Sequence, residues 1–318
     1  MDILKYEKLF QSQGYNRIVG IDEAGRGPLA GPVVAVALFW GNAKIIDAVR
    51  DSKKISEKKR LVLFDEIISK ASDIGIGIVH ENEIDKINIL QATYLAMRKA
   101  VGSLKIKPEL LLVDGNKADI KHIKQKNIIK GDSLSYSIAC ASIIAKVSRD
   151  LIMIEYSKVF LGYGFEKHKG YGTKLHVNMI ETLFSSPIHR KTFKPVKYYL
   201  PTLKNYDTDT KIHLLAKQLT ASFMIKKGFK IKMFNSIYDV MVSDQNKLII
   251  ISVSLLIAGK TIDSKSDING VNFNKEIAQN LFEYKLEDFK YFREDSAHIS
   301  FFKGGPKFDI KKGQLHEF

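Results

Sequence analysis

Gly20-Ile-Asp-Glu-Ala-Gly-Arg-Gly-Pro-Leu-Ala-Gly-Pro32 decides how the rest of this chain is read. Residues 17–22 form an apolar run that ends on two acids, Asp22 and Glu23, and so predict a buried strand. A glycine turn follows, and then a second apolar strand over 32–39. A dinucleotide-binding turn is excluded. Gly25, Gly27 and Gly31 depart from the G-x-G-x-x-G spacing, and a strand stands where that motif needs a helix. The glycines instead let backbone amides come close to a ligand, with Arg26 between them.

Working outward, 56–72 has helical spacing at Leu61, Phe64, Ile67 and Ile68, with Ser56 placed to cap it. Residues 74–79 alternate like a strand. Residues 84–104 predict a long amphipathic helix with Ile87, Leu90, Tyr94, Leu95 and Met97 on one face. A short apolar strand over 110–114 ends on Asp114, and 135–158 reads as a long helix. Strands first, then alternating α and β, give an α/β layer fold. Between 195 and 211 the pattern loosens into prolines and polar residues, a candidate linker. A second unit then reads as a helix (212–227), a stop at Gly228 and strands near 230–234, 239–242 and 248–254. Two domains are expected, 1–204 and 212–318, with no internal repeat.

The 318 residues carry a net charge of +15, which points to a polyanionic partner. That charge is uneven. The first 200 residues hold 32 basic and 21 acidic side chains, and the remainder hold 18 and 14. The single cysteine, Cys140, excludes an intrachain disulfide and suits a reducing compartment; its Ala-rich setting reads as core. The longest apolar run, 248–258, is far short of the roughly 20 residues a membrane span needs. A soluble, cytoplasmic protein is expected.

Asp22, Glu23, Asp114 and Asp132 stand where solubility would not put them. A carboxylate at the end of an apolar strand is poorly hydrated and faces like charges, which a bound cation would neutralise. Hard oxygen ligands favour Mg²⁺ or Mn²⁺, and two such ions can activate water and stabilise a leaving oxygen at a phosphodiester. Taken singly, each of these acids could equally be a loop cap.

The opening stretch resembles the signature of ribonuclease HII, and the resemblance continues in order along the chain. Asp51-Ser-Lys-Lys-Ile-Ser-Glu-Lys-Lys-Arg60 is similar to the family's basic segment, and Glu83 through Thr93 to its central helix. Leu112-Val-Asp-Gly115, Lys130-Gly-Asp132, residues 138–150 and His168-Lys-Gly-Tyr-Gly-Thr-Lys-Leu-His176 complete the set over about residues 15–200. The resemblance implies a ribonuclease H-like mixed sheet flanked by helices, with Asp22, Glu23, Asp114 and Asp132 as catalytic metal ligands. It implies that Gly25, Arg26 and Gly27 sense the ribonucleotide 2′-hydroxyl and that Tyr171 stacks on the next sugar. Arg26 separates the chain from the related ribonuclease HIII branch, whose loop lacks it. The implied substrates are RNA–DNA hybrids and duplex DNA with embedded ribonucleotides. Cleavage 5′ of the ribonucleotide would leave 5′-phosphate and 3′-hydroxyl ends, and the enzyme is expected to be monomeric.

Other positions admit two readings. Lys53, Lys54 and Lys146 are either phosphate contacts or solvated surface. Asp150 reads as a salt-bridged neighbour of the site, and His168 and His176 as structural hydrogen-bonding groups. Residues 215–235 weakly resemble the start of the YraN-like family of restriction-endonuclease-like folds. Asp239 fits that pattern, but Ser252-Val-Ser254 replaces its Glu-x-Lys, so an accessory, non-catalytic domain is expected. Two other functions remain open from the residues: a catalytically inert nucleic-acid binder, and a metal-dependent nuclease for structured DNA.

Overall fold

The computed structural model describes residues 2–49, 55–116, 118, 120, 122–234, 240–245, 247–257, 260–263, 291–302 and 305–317. The chain forms two compact units. One comprises Met1–Met153, Glu166–Thr182 and Ile188–Tyr199; the other comprises Ile154–Phe165, Leu183–Pro187 and Leu200–Phe318.

The elements of the first part of the chain run α1 (Lys5–Gln11), β1 (Ile18–Ala24), β2 (Val33–Phe39), α2 (Glu57–Lys70), β3 (Asp73–Val79), α3 (Glu81–Gly102), β4 (Leu110–Asp114), β5 (Gln125–Ile128), α4 (Tyr136–Val159), α5 (Phe165–His168) and α6 (Lys174–Leu183). The five strands form one mixed sheet in the order β3-β2-β1-β4-β5. β1 and β2 pair antiparallel through the glycine turn, whereas β1 and β4 run parallel with Ile21 opposite Val113. The parallel pairing is what matters for the site. It brings Asp22 and Asp114 out at the same end of neighbouring strands.

Alternation along β2 divides the core. Val36 and Leu38 join Leu63, Ile67, Ala139, Cys140 and Ile144 on one side. Val33, Ala35 and Ala37 join Ala92, Ala96, Met97 and Ala100 on the other. Cys140 is fully buried, as its setting suggested, and burial pushes its thiol far above the usual range. The stripe expected on α2 is shifted by the actual packing. Leu63 and Ile67 are buried, while Leu61 and Ile68 face outward. Ser56 caps that helix, accepting from Lys59 N. The helix expected over 84–104 starts at Glu81 and is broken at Asn88, whose φ is 64° and whose side chain accepts from Leu90 and Gln91 N. Leu90 is exposed, because the buried face is built from alanines that let α3 settle onto Gly75 and Gly77 of β3.

In the second unit, α7 (Asp209–Lys226) is capped by Thr208, so the helix begins inside the stretch read as a linker. β6 (Lys230–Phe234), β7 (Val240–Asp244), β8 (Lys247–Ile257), β9 (Lys260–Asp263), β10 (Tyr291–Phe302) and β11 (Gly305–Glu317) follow. Five strands are ordered β11-β10-β8-β7-β6, with β9 on β8. β8 and β10 are parallel and the other pairs are antiparallel. Helix α7 packs on this sheet, with Phe223 stacked on Phe308 at 5.2 Å. Asp239 lies outside the described residues. No helix among the described residues is long and apolar enough to cross a membrane.

Gly20 is the closest approach between helix and sheet near the site. A Cβ there would lie 2.2 Å from the Ser137 carbonyl carbon, at the start of α4. Gly20→Ala should therefore destabilise the protein by about 1–3 kcal/mol or more through forced separation of α4 from β1. Denaturant unfolding measures this, and an unchanged midpoint would contradict the packing.

Candidate active site

Asp22 lies on β1 two residues past Gly20 and is 6% exposed. Burial raises its carboxyl well above the usual range, and the charges of Glu23 and Asp114 add to the effect, while Ser142 of α4 donates a hydrogen bond that opposes it. Glu23 is raised too, chiefly by burial; the Arg26 guanidinium, 3.2 Å away, pulls it back. Asp114 closes β4 and accepts from Gly131 N at 2.6 Å. That bond ties the end of β4 to the single helical turn holding the buried Asp132. Three of the four acids thus feel one another directly, and the fourth is fixed beside them.

A cleft of about 410 Å³ takes in two of these acids, Glu23 and Asp132, and is lined further by Gly25, Arg26, Gly27, Arg60, Ser142, Lys146 and Tyr171 among others. Acidic floor and basic rim share one concavity. Among the described residues, no three His, Cys, Asp or Glu side chains make a ready cage for a metal ion. The donors the acids offer are hard carboxylate oxygens, the kind that suits a hard divalent cation.

The structure brings Gly25, Arg26, Gly27, Tyr171 and Lys146 together with the carboxylates. Lys146 pairs with Asp150 at 2.7 Å and sits 5.5 Å from the Tyr171 ring centre. Asp150 is therefore salt-bridged next to the cleft. Lys53 and Lys54 lie outside the described residues; Arg60, at the end of the same basic segment, reaches the cleft.

Two buried arginines shape the glycine turn, and neither role has a local sign along the chain. Arg149 donates to the carbonyls of Pro32, Lys169 and Ala30. Arg190 donates to those of Gly31, Arg26, Gly25 and Pro32. Burial lowers both guanidinium pKa values, to about 10 for Arg149 and about 9 for Arg190, so each stays charged near neutrality. With its carbonyls turned inward to these cations, the turn has a fixed shape. Gly25, at φ 100°, has no room for a Cβ beside the Arg149 side chain. Ser142 was equally illegible, an unremarkable serine in an Ala-rich helix.

The histidines are structural, as expected. His176 Nδ1 is 2.9 Å from the Tyr171 carbonyl, its Nε2 is 3.0 Å from His189 Nε2, and its ring stacks on His168 at 4.3 Å. His168 Nδ1 accepts from Gly170 N. This buried chain holds the Tyr171 backbone in place.

Comparison with known proteins finds one family over the first part of the chain. The family model for ribonuclease HII matches residues 19–196. The chain is 54% identical over 198 residues to ribonuclease HII of Geotalea uraniireducens (strain Rf4), covering 62% of this chain and 92% of that one. It is also 54% identical over 189 residues to ribonuclease HII of Clostridioides difficile (strain 630), covering 58% and 74% respectively. The crystal structure of ribonuclease H2 from Pyrococcus horikoshii OT3 superposes with a TM-score of 0.47 and 24% identity, over 60% of this chain and 100% of that one.

Burial lowers the His176 pKa from 6.5 to about 4. The unfolded chain therefore takes up this proton first, and stability is lost as pH falls from about 6.5 toward about 4. The slope from this one group is at most about 1.4 kcal/mol per pH unit. Denaturant melts across that window should show His176→Gln losing this part of the pH dependence. A variant with the wild-type slope would mean that other groups carry the acid sensitivity. Separately, Arg190→Met, which removes the arginine donor from the Gly25, Arg26 and Gly31 carbonyls while Pro32 keeps Arg149, should cost about 2–4 kcal/mol. Unfolding by denaturant reads this as well.

Proposed function

The chain belongs to the ribonuclease HII family and is a nuclease with ribonuclease H activity; we propose that it hydrolyses the phosphodiester 5′ of ribonucleotides in RNA–DNA hybrids or embedded in duplex DNA. The observation that carries this reading is the meeting of buried Asp22 with Asp114 at the ends of parallel strands, where their charges repel, beside a cleft lined by Glu23, Asp132 and basic side chains. A role in removing ribonucleotides from DNA follows from that substrate.

Asp22, Glu23, Asp114 and Asp132 would hold two divalent ions, Mg²⁺ or Mn²⁺, together with substrate phosphate oxygens. Bound there, the ions supply a water nucleophile and neutralise charge on the leaving oxygen. The remaining work belongs to the chain itself. Burial first, and repulsion among the acids second, raise the carboxyl pKa values, so a cation there would relieve both and ion and substrate binding would reinforce each other. The fixed turn at Gly25, Arg26 and Gly27 presents backbone close to a sugar, where a 2′-hydroxyl distinguishes RNA from DNA. Tyr171 offers a ring face that fits a deoxyribose beyond the junction, flanked by Lys146 and Arg149. Lys146, Arg60 and, from the sequence, Lys53 and Lys54 neutralise phosphates, which makes binding salt-dependent. Water attack on phosphorus expels the 3′ oxygen, leaving 3′-hydroxyl and 5′-phosphate ends, and the 2′-hydroxyl serves recognition only.

The catalytic domain corresponds to residues 1–204, and 212–318 is an accessory, non-catalytic domain in a monomeric, cytoplasmic enzyme. Ser254 bonds to His298 across β8 and β10, where the endonuclease pattern would need a lysine.

Duplex DNA carrying one ribonucleotide, incubated with Mg²⁺ or Mn²⁺, should be nicked 5′ of that residue while an all-DNA control stays intact. Asp22→Asn should abolish nicking by removing a ligand charge, yet fold at least as stably, because it relieves like-charge repulsion. Tight binding without a nick under either ion would replace this assignment with the inert-binder reading.

A further inference from the structure

The segment Ile188–Tyr199 belongs to the first unit and starts beside the glycine turn. Arg190 N donates to the Leu29 carbonyl and Gly31 N to the Ile188 carbonyl, both at 2.9 Å, and Ala30 and His189 form a bridge between these bonds. From there the backbone continues in tight turns. Phe193 N bonds to the Arg190 carbonyl, and a 3₁₀ turn follows over Val196–Tyr198.

Every third side chain of this segment is directed inward. Arg190 lies under the glycine turn, and its guanidinium sits 5.1 Å from the ring centre of Phe193. Val196 is fully buried against Leu29 and Ile180. Between these anchors, also at every third position, Lys191, Lys194 and Lys197 are exposed. Tight turns bring side chains i and i+3 to the same side, so the three lysines leave the segment together. Tyr198 stands next to them, 63% exposed, with Lys197 Nζ 5.0 Å from its ring centre.

Charge here has one sign. No acid occurs in the sequence between Glu181 and Asp207. Asp85 is engaged by Lys191 N, Thr192 N and Thr192 Oγ1, and Glu181 accepts from Tyr199 Oη. Among the described residues, none of the three lysines is held in an ion pair. A row of ammonium groups with an open aromatic ring beside it matches a sugar-phosphate backbone, which offers regularly spaced negative charge and sugar faces.

We propose that Lys191, Lys194, Lys197 and Tyr198 form a docking strip for the DNA duplex that flanks the cleaved ribonucleotide. The lysines would neutralise phosphates of one strand, and Tyr198 would pack on a sugar. The strip deepens the ribonuclease reading above and rests on it. Because it leaves the glycine turn in one direction, it meets the duplex on one side of the ribonucleotide only.

Fluorescence anisotropy of a labelled ribonucleotide-containing duplex, titrated with the full chain carrying Asp22→Asn across a salt series, reads this contact apart from the chemistry. Each lysine on a phosphate adds about 0.9 to the slope of log affinity against log salt. Lys191→Ala/Lys194→Ala/Lys197→Ala should therefore flatten the slope by about 2–3. Tyr198→Ala should weaken binding with the slope unchanged. The control Lys105→Ala/Lys107→Ala removes exposed charge ahead of β4, at the end of that strand away from Asp114, and should leave the slope as it was. Trimming the DNA on the contacted side should bring the triple variant and its parent to the same slope, and trimming the other side should leave them apart. An unchanged slope in the triple variant, an equal flattening in the control, or slopes that stay apart whichever side is trimmed would overturn the strip. Nicking by the unaltered chain is scored separately, so its absence would overturn the ribonuclease reading, whereas the salt slopes decide the strip.

Discussion

Like charge held out of water is the constraint around which the first unit is organised. Asp22, Glu23 and Asp114 are brought within reach of one another by the parallel pairing of β1 and β4, and burial raises the cost of ionising the first two. A fold that only needed to be stable would not place three carboxylates there. The arrangement makes sense as a receptor for positive charge and, through it, for a phosphate. Everything nearby either fixes those acids or limits how they can relax. Gly20 admits α4, Ser142 of that helix bonds to Asp22, and Asp114 holds the turn that carries Asp132.

The glycine turn solves a second problem. A loop that must bring bare backbone to a substrate cannot be stiffened by its own side chains. Arg149 and Arg190 supply the stiffness from beneath, donating to carbonyls of residues 25–32. Two buried guanidiniums so close together would repel, and Arg149 does depress Arg190. The carbonyl dipoles of the turn offset that repulsion, so turn and arginines stabilise each other. The histidine chain from His168 through His176 to His189 does the same for the Tyr171 backbone without adding charge, since burial keeps His176 neutral near pH 7. The cleft therefore has rigid support on both sides.

The second unit shows a different balance. Its sheet follows chain order from β6 to β11, with one parallel step between β8 and β10, and α7 covers apolar residues on one face. Ser252 and Ser254 stand on β8, and Ser254 bonds to His298 of the neighbouring β10.

Asp22, Glu23, Asp114, the glycine turn and the principal strands were legible in the sequence because each is a local signal: an acid ending an apolar run, a glycine cluster, a period of two; Tyr171 was read only from the family resemblance. Secondary structure failed at the edges for the same reason. β5 (Gln125–Ile128) is a polar strand whose only justification is its pairing with β4, and α2 turns Leu63 rather than Leu61 inward because of what α4 presents to it. Only the tertiary structure could decide that Arg190 lies under Gly25, 165 positions earlier in the chain, or that Glu7 caps α4. An arginine or a glutamate in a polar stretch reads as solvated surface. Its meaning comes from which unpaired carbonyl or N–H the fold brings to it, and long-range hydrogen bonds leave no periodic trace in the chain that makes them.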